Sequence, residues 1–257
     1  MQQTFYKYQG TGNDFVMIDN RLQTFNKKDT KRIAFLCDRR FGIGADGLIL
    51  LENHPKCDFT MVYYNSDGNE STMCGNGGRC LVAFAHDLGI IKEQAVFEAV
   101  DGVHHATIKN KIVKLQMQDV LVVETYNDHV FLNTGSPHHV QFESQIEDFD
   151  IKRKGAAIRY GKPYNEAGTN VNFVKKIDDK TFRLRTYERG VEDETLSCGT
   201  GATAVAIAMH RLNKTNKELV NLKVQGGDLQ VSFCVDNNSY KNVNLIGPAT
   251  FVFKGHI

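Results

Sequence analysis

Glu70-Ser-Thr-Met-Cys74-Gly75-Asn76-Gly77-Gly78 and Glu194-Thr-Leu-Ser-Cys198-Gly199-Thr200-Gly201-Ala202 are two copies of one pattern, set just under half a chain apart in 257 residues. Each copy runs into an apolar stretch: Cys80 to Ala85 with Leu88, closed by Gly89, in the first, and Ala202 to Met209 in the second. Apolar residues on nearly every face predict helices that are buried all round rather than surface helices. Each copy also follows a strand-like segment. Asp58 to Tyr64 is rich in β-branched and aromatic residues ahead of the turn signal Asn65-Ser-Asp-Gly68, and Thr181 to Tyr187 alternates apolar with polar residues ahead of Glu188-Arg189-Gly190. The repeating unit is therefore strand, loop, Cys-Gly-x-Gly, buried helix.

Working outward, Asp14 to Asp19, Gly47 to Leu51, Ile112 to Met117, His129 to Leu132, Leu219 to Val224 and Leu229 to Val235 read as further strands around the two helices. The pattern predicts an α+β fold of two pseudo-symmetric domains, each a mostly antiparallel β-sheet or barrel wrapped around a central buried helix. The repeat places a boundary after residue 117, so that 1–117 carries Cys74 and the chain from 118 carries Cys198. No proline-rich linker marks this boundary, which rests on the repeat alone.

Composition narrows the function. Hydrophobic residues make up 41% and charged residues 24% of the chain, and Gly 22 with Pro 4 excludes collagen-like or disordered readings. A net charge of +1 provides no global field toward nucleic acid or an anionic membrane, so the expected partner is a small molecule selected locally. The first residues lack the charged and apolar regions of a signal peptide, and no apolar run approaches the roughly 20 residues of a membrane span. These features predict a cytoplasmic protein whose six cysteines are thiols rather than a disulfide framework.

A cysteine at the opening of a helix lies near unpaired N–H groups and the positive end of the helix dipole, which lowers a thiol pKa from about 8.5 toward neutrality. The neighbouring glycines allow backbone to approach a ligand closely, and helix N-termini suit a carboxylate. Two such thiols facing one substrate carbon would supply a base on one side and an acid on the other, an arrangement suited to inversion of that carbon. General acid–base catalysis contributes about 10²–10⁴-fold, so oriented N–H groups would have to stabilise the charge that develops on the substrate carboxylate. Cys37, Cys57, Cys80 and Cys234 lack the Gly-x-Gly context and read as small packing residues.

Two other patterns carry no chemistry. Gly42-Ile-Gly44-Ala-Asp-Gly47 fits a dinucleotide fingerprint, but it follows a helical segment and precedes a strand, the reverse of the required order. His104-His105 and His138-His139 are adjacent pairs pointing to opposite faces of a strand, and no cysteines have metal-ligand spacing, so no metal is expected.

The set Gly10-Thr-Gly-Asn13-Asp-Phe15, Cys74-Gly-Asn76-Gly-Gly-Arg79, Gly168-Thr-Asn170-Val-Asn-Phe173, Tyr187-Glu188-Arg189-Gly190, Cys198-Gly-Thr200-Gly201 and Gly247-Pro248-Ala249 closely resembles the diaminopimelate epimerase family, in the family's order from Gly10 onward. The resemblance implies a homodimer of two-domain protomers that interconverts LL- and meso-2,6-diaminoheptanedioate without a cofactor, in lysine biosynthesis. It implies that residues 250–257 complete the N-terminal domain, leaving 118–249 as the C-terminal one, and that the active site lies in the cleft between domains. Carried over, Cys74 and Cys198 are the acid/base pair, and His138 and Glu188 tune its ionisation. Asn13, Asn65, Gly75, Asn76, Ser136, Asn170, Glu188, Arg189, Gly199 and Thr200 are the substrate contacts. Without the resemblance His138 reads as an ordinary strand histidine, Glu188 with Arg189 as a solvated pair, and Asn65 equally well as a turn residue. Ser136 stands where many members have Asn, and Gly47 where some have Gln. Both changes remove an amide from the end of the substrate distant from the reacting carbon.

Two alternatives remain open at this point. A proline racemase or hydroxyproline epimerase type of enzyme also carries two cysteines in two halves, although its substrate offers no second ammonium and carboxylate for Glu188 and Arg189. A redox-sensing binding protein would use Cys74 and Cys198 as a switchable disulfide.

Overall fold

Parallel strands need a crossover between them, whereas antiparallel neighbours can be joined by a tight turn. Both devices recur, in the same sequence, in the two units into which residues 2–257 of this computed structural model divide. Unit 1 comprises the chain up to Leu115 together with Gly247–Ile257, and unit 2 is Gln116–Ile246. These limits fall two or three residues before the expected boundaries after 117 and 249.

In unit 1, β1 (Thr4–Gly10), β2 (Asn13–Asp19), β3 (Gly47–Glu52), β4 (Phe59–Asn65), β5 (Gln94–Ala99), β6 (Gly102–Lys109) and β7 (Ile112–Gln116) are laid side by side in chain order. Two of the pairings are parallel. The first, β2 with β3, is bridged by α1 (Thr30–Cys37), and the second, β4 with β5, by α2 (Gly75–Asp87). In unit 2, β8 (Val123–Thr125) pairs with β9 (Val130–Asn133), which pairs with β10 (Pro137–Phe142). Strand β10 lies parallel to β11 (Asn170–Lys176) across α3 (Ile151–Tyr160), and β12 (Thr181–Glu188) lies parallel to β14 (Leu219–Val224) across α4 (Gly199–Arg211). Short β13 (Asp193–Thr195) folds back on β12, while β15 (Gly227–Asp236) and β16 (Ser239–Pro248) extend the sheet beyond β14. Strand β17 (Thr250–His256) returns to pair with β1 in unit 1.

The central helices are α2 and α4. Cys80, Leu81, Val82 and Phe84 in α2, and Ala202, Ala204, Val205 and Ile207 in α4, are all inaccessible to solvent. Helices with apolar side chains all round are stable only in such an enclosed position. Both begin earlier than the apolar runs suggest, because their first turns are the glycine-rich segments themselves. Glycine in a helix costs about 1 kcal/mol relative to alanine, and here it has a packing reason. A Cβ on Gly77 would lie 2.9 Å from Ile49 Cδ1, and one on Gly201 only 2.6 Å from Asn172 Oδ1. These two glycines let each helix entry settle onto the sheet beneath it.

The crossover helices α1 and α3 are also equivalent. Asp29 and Asp150 cap them, their carboxylates accepting from Arg32 N and Arg153 N at 3.0 Å. Helix α3 is not among the elements expected from the sequence, and its Gly155 lies on the buried face. A Cβ there would lie 2.4 Å from Tyr187 Cβ, so glycine is what lets α3 lie against β12. Among the described residues no helix is long and apolar enough to cross a membrane.

Candidate active site

The sheet register gathers the predicted residues at one end of each unit. In unit 1, Phe15 pairs with Gly47 and Gly47 with Asn65, so the start of β2, the start of β3 and the end of β4 lie together. In unit 2, His138 pairs with Asn170 and Val171 with Tyr187, so the start of β10, the start of β11 and the end of β12 do the same. The chain leaves β4 and β12 from these ends and reaches the N-termini of α2 and α4. Phe15 and His138 thus hold equivalent places, as do Asn13 and Ser136, Asn65 and Glu188, and Cys74 and Cys198.

In unit 1 Cys74 is the N-cap of α2. Its thiol donates to Asn13 Oδ1 at 3.7 Å, which also accepts from Asn76 Nδ2 at 3.2 Å. Asn13 is held in that orientation from behind, its Nδ2 donating to Asp46 Oδ2 at 2.6 Å. Arg39 bridges Asp46 and Asp14, and Lys7 pairs with Asp14 at 2.7 Å. Burial raises the Asp14 pKa, but the Arg39 and Lys7 hydrogen bonds outweigh it and hold this carboxyl well below the usual range. Arg79, fully buried, donates to Asn76 Oδ1 at 2.9 Å and Gly75 O at 3.3 Å, which fixes the Asn76 amide. Asn65 is exposed at the end of β4, where its backbone closes the turn with Gly68 and Asn69.

In unit 2 Cys198 is the N-cap of α4, and its sulfur accepts from Gly201 N at 3.4 Å and lies 3.4 Å from Thr200 Oγ1. The Thr200 carbonyl accepts from Thr134 Oγ1 at 2.9 Å. His138 is fully buried, and burial, with the positive charge of Arg189 in the same direction, pushes its pKa down to about 3. Glu188 accepts from Thr195 Oγ1 at 2.9 Å, and Arg189 donates through Nη1 to Ala167 O at 2.9 Å. Asn170 is occupied on both sides. Its Nδ2 donates to Ser136 Oγ at 2.7 Å and Pro137 O at 3.0 Å, and its Oδ1 accepts from Arg189 N at 2.9 Å. Asn170 therefore anchors the Ser136 and Arg189 turns to each other.

Sequence reasoning missed Asp46, which lies in the glycine-rich segment read as a turn, and Asn172, which lies inside the Gly168 to Phe173 motif without a role. The remaining thiols mostly behave as packing residues. Burial pushes the Cys37 and Cys80 thiols up to about 12, whereas Cys234, expected to be a packing residue, is exposed on β15. The adjacent histidines diverge as alternation requires: His138 faces Asn172, and His139 stacks on His129 with ring centroids 4.2 Å apart.

The sequence profile described as diaminopimelate epimerase matches residues 5–123 and 130–252. The chain belongs to the diaminopimelate epimerase family. The diaminopimelate epimerase of Flavobacterium psychrophilum is 63% identical over 250 residues, covering 97% of this chain and 98% of that one. That of Chlorobaculum tepidum is 43% identical over 258 residues, covering 96% and 98%. Among solved structures, a phenazine biosynthesis protein of the PhzF family from Bacillus anthracis superimposes with a TM-score of 0.79 at 12% identity, covering 100% of this chain and 99% of that one. A hydroxyproline epimerase from Agrobacterium vitis, with trans-4-hydroxy-L-proline bound, gives 0.71 at 14% identity, covering 100% and 92%. At these identities the likeness is one of fold.

The two departures from the diaminopimelate epimerase pattern have local causes in this chain. Ser136 is short enough for the Asn170 amide to bond it directly. Gly47 is imposed by its neighbours, since a Cβ there would lie 2.5 Å from Tyr64 O and 2.6 Å from Tyr63 Cε2. The Tyr63 ring fills the space that a glutamine at 47 would need.

Proposed function

We propose that this protein interconverts LL- and meso-2,6-diaminoheptanedioate, an isomerase step of lysine biosynthesis, using Cys74 and Cys198 as a thiolate/thiol pair and protein groups alone. The observation that carries this reading is that both thiols are N-caps of equivalent buried helices. A helix N-terminus supplies N–H groups that no preceding turn can satisfy, and its dipole favours thiolate over thiol. In the forward direction one thiolate takes the α-proton and becomes a thiol, while the opposite thiol gives its proton to the other face of the carbanion and becomes a thiolate. One C–H bond breaks and one forms, no electrons leave the substrate, and the roles are exchanged for the reverse reaction. The chemistry requires the two sulfurs to face one carbon from opposite sides.

The Gly75 and Asn76 end of α2 and the Gly199 and Thr200 end of α4 would stabilise charge on the carboxylate of the reacting carbon. Glu188 and Arg189 suit the second ammonium and carboxylate, which a proline-sized substrate lacks. His138, held neutral by burial, and Glu188 would tune the ionisation of the thiols. Proton NMR in D₂O tests this reading. LL-diaminopimelate with reduced protein is expected to lose its α-proton signal as meso isomer forms, and an unchanged signal with folded protein and titratable thiols would end the proposal.

A chemistry built on two reduced thiols suits the cytoplasm. We further propose a homodimer formed through β17, where the large apolar side chains Phe251, Val252 and Phe253 are each about half exposed beside β1. Sedimentation equilibrium should give twice the chain mass, and Phe253→Asp should give a single chain. A wild-type protein that sediments as a monomer at micromolar concentration would refute the dimer.

A further inference from the structure

Asn172 lies at the centre of unit 2 with no exposure at all, and each of its polar atoms is used. Its Nδ2 lies 3.0 Å from the His139 carbonyl and 3.1 Å from His138 Nδ1, and its Oδ1 lies 3.0 Å from Thr186 Oγ1. The His139 carbonyl can only accept, so the atom facing it must be the amide nitrogen, and Oδ1 then receives the Thr186 hydroxyl. Reversing the amide would set two oxygens against each other in a buried place. With the amide so fixed, its second N–H faces His138 Nδ1, which must be the unprotonated, accepting nitrogen. The ring proton is thereby assigned to Nε2.

His138 Nε2 is the other half of the observation. It is buried and has no hydrogen-bond partner among the described residues. A buried N–H left without an acceptor costs about 1–3 kcal/mol, and a strand histidine chosen only for packing has no reason to carry that cost. Asn172 also reaches the thiol's own turn: a Cβ on Gly201 would lie 2.6 Å from Asn172 Oδ1 and 3.3 Å from Cys198 Sγ. One amide therefore underlies both the His138 ring and the first turn of α4.

We infer that Asn172 is a positioning residue that locks His138 as the neutral Nε2–H tautomer, so that the imidazole serves the reaction as a hydrogen-bond donor and not as a proton acceptor. Protonation of Nδ1 would set an N–H of the ring against an N–H of the amide. The charged group that acts on the ring, Arg189, opposes the imidazolium as well, and His139 directs its own ring away toward Tyr164 and His129. The role assigned to His138 rests on the epimerase reading, whereas the tautomer does not.

The test is a two-bond ¹H–¹⁵N correlation spectrum of protein labelled at the histidine ring nitrogens, with His138 assigned from the signals missing in His138→Asn. Wild type is expected to show the Nε2–H tautomer from pH 5 to pH 8. Asn172→Ala should lose that single form and lower kcat by about tenfold or more with little change in KM, as follows when an interaction made only in the transition state is removed. Asn172→Asp, whose carboxylate would accept from Nδ1–H, should move the proton to Nδ1 and introduce a histidine ionisation into the pH profile of kcat. An Nδ1–H tautomer or an imidazolium in the wild type at pH 7 would overturn the inference without any variant, and so would an unaltered Nε2–H signal in Asn172→Ala. If the tautomer is as stated but wild type exchanges no α-proton of diaminopimelate, the proposed function fails and the Asn172 assignment stands.

Discussion

Alanine in place of either Cys74 or Cys198 is expected to abolish epimerisation, with kcat falling by about 10⁴-fold or more, since acid and base catalysis each contribute about 10²–10⁴-fold and act as a unit. The loss should not be symmetrical in exchange experiments. A variant keeping one thiol can still remove and return a proton on its own face, so slow loss of the α-proton signal from one stereoisomer should survive without formation of the other. The stereoisomer that still exchanges in each variant identifies the face each thiol serves. Serine should rescue little, because an alkoxide forms far less readily than a thiolate near neutral pH. Serine is close in size to cysteine and alanine removes only the sulfur, with the Gly201 N–H bond lost at Cys198, so both variants should fold and activity is the discriminating readout. Full activity in either alanine variant would refute the two-base mechanism.

The second large effect is on stability in mild acid. His138 and His139 are buried as neutral rings, and burial lowers their pKa values from 6.5 to about 3 and about 4. Between those values and 6.5 the unfolded chain binds protons that the folded chain does not, so stability rises with pH through this window and is lost as pH falls through it. From pH 7 to pH 4 each histidine contributes a loss of about 3 kcal/mol, at 1.36 kcal/mol per pKa unit. Asp14 acts in a separate window. Its lowered pKa gives stability that is present above the ordinary carboxylate range and disappears only below about pH 4. Urea denaturation at half-unit pH steps should therefore show a steep decline already above pH 4, shallower in His138→Gln and in His139→Gln. Equal slopes in wild type and both variants would show that neither ring is held neutral.

Much of the candidate site is legible in the sequence because its signals are local. Cysteine followed by Gly-x-Gly and an all-apolar run marks a buried helix N-terminus wherever it occurs, and a second copy removes coincidence. Glu188 and Asn65 are legible as residues at strand ends, since turn signals follow both. Asp46 is not. Its role depends on β2 and β3 lying side by side in one register, and the glycines around it read equally well as a plain turn. Cys234 departs from expectation for a related reason: an apolar, strand-like stretch does not reveal which of its alternate residues faces solvent until the sheet is assembled.

What the sequence determined by itself is the duplication, the two enclosed helices and the thiol at the head of each, because hydrophobic period, turn residues and capping positions act over a few neighbouring residues. Membership of the diaminopimelate epimerase family was readable in the same local motifs. The tertiary structure alone decided that Gly155 permits α3 to lie on Tyr187, that Tyr63 takes the space beside Gly47, and that Asn172 lies under both His138 and Gly201. Each of these depends on two segments distant in the chain meeting within about 3 Å. Strand register and helix docking set such meetings, and a one-residue slip in either would present a different side chain.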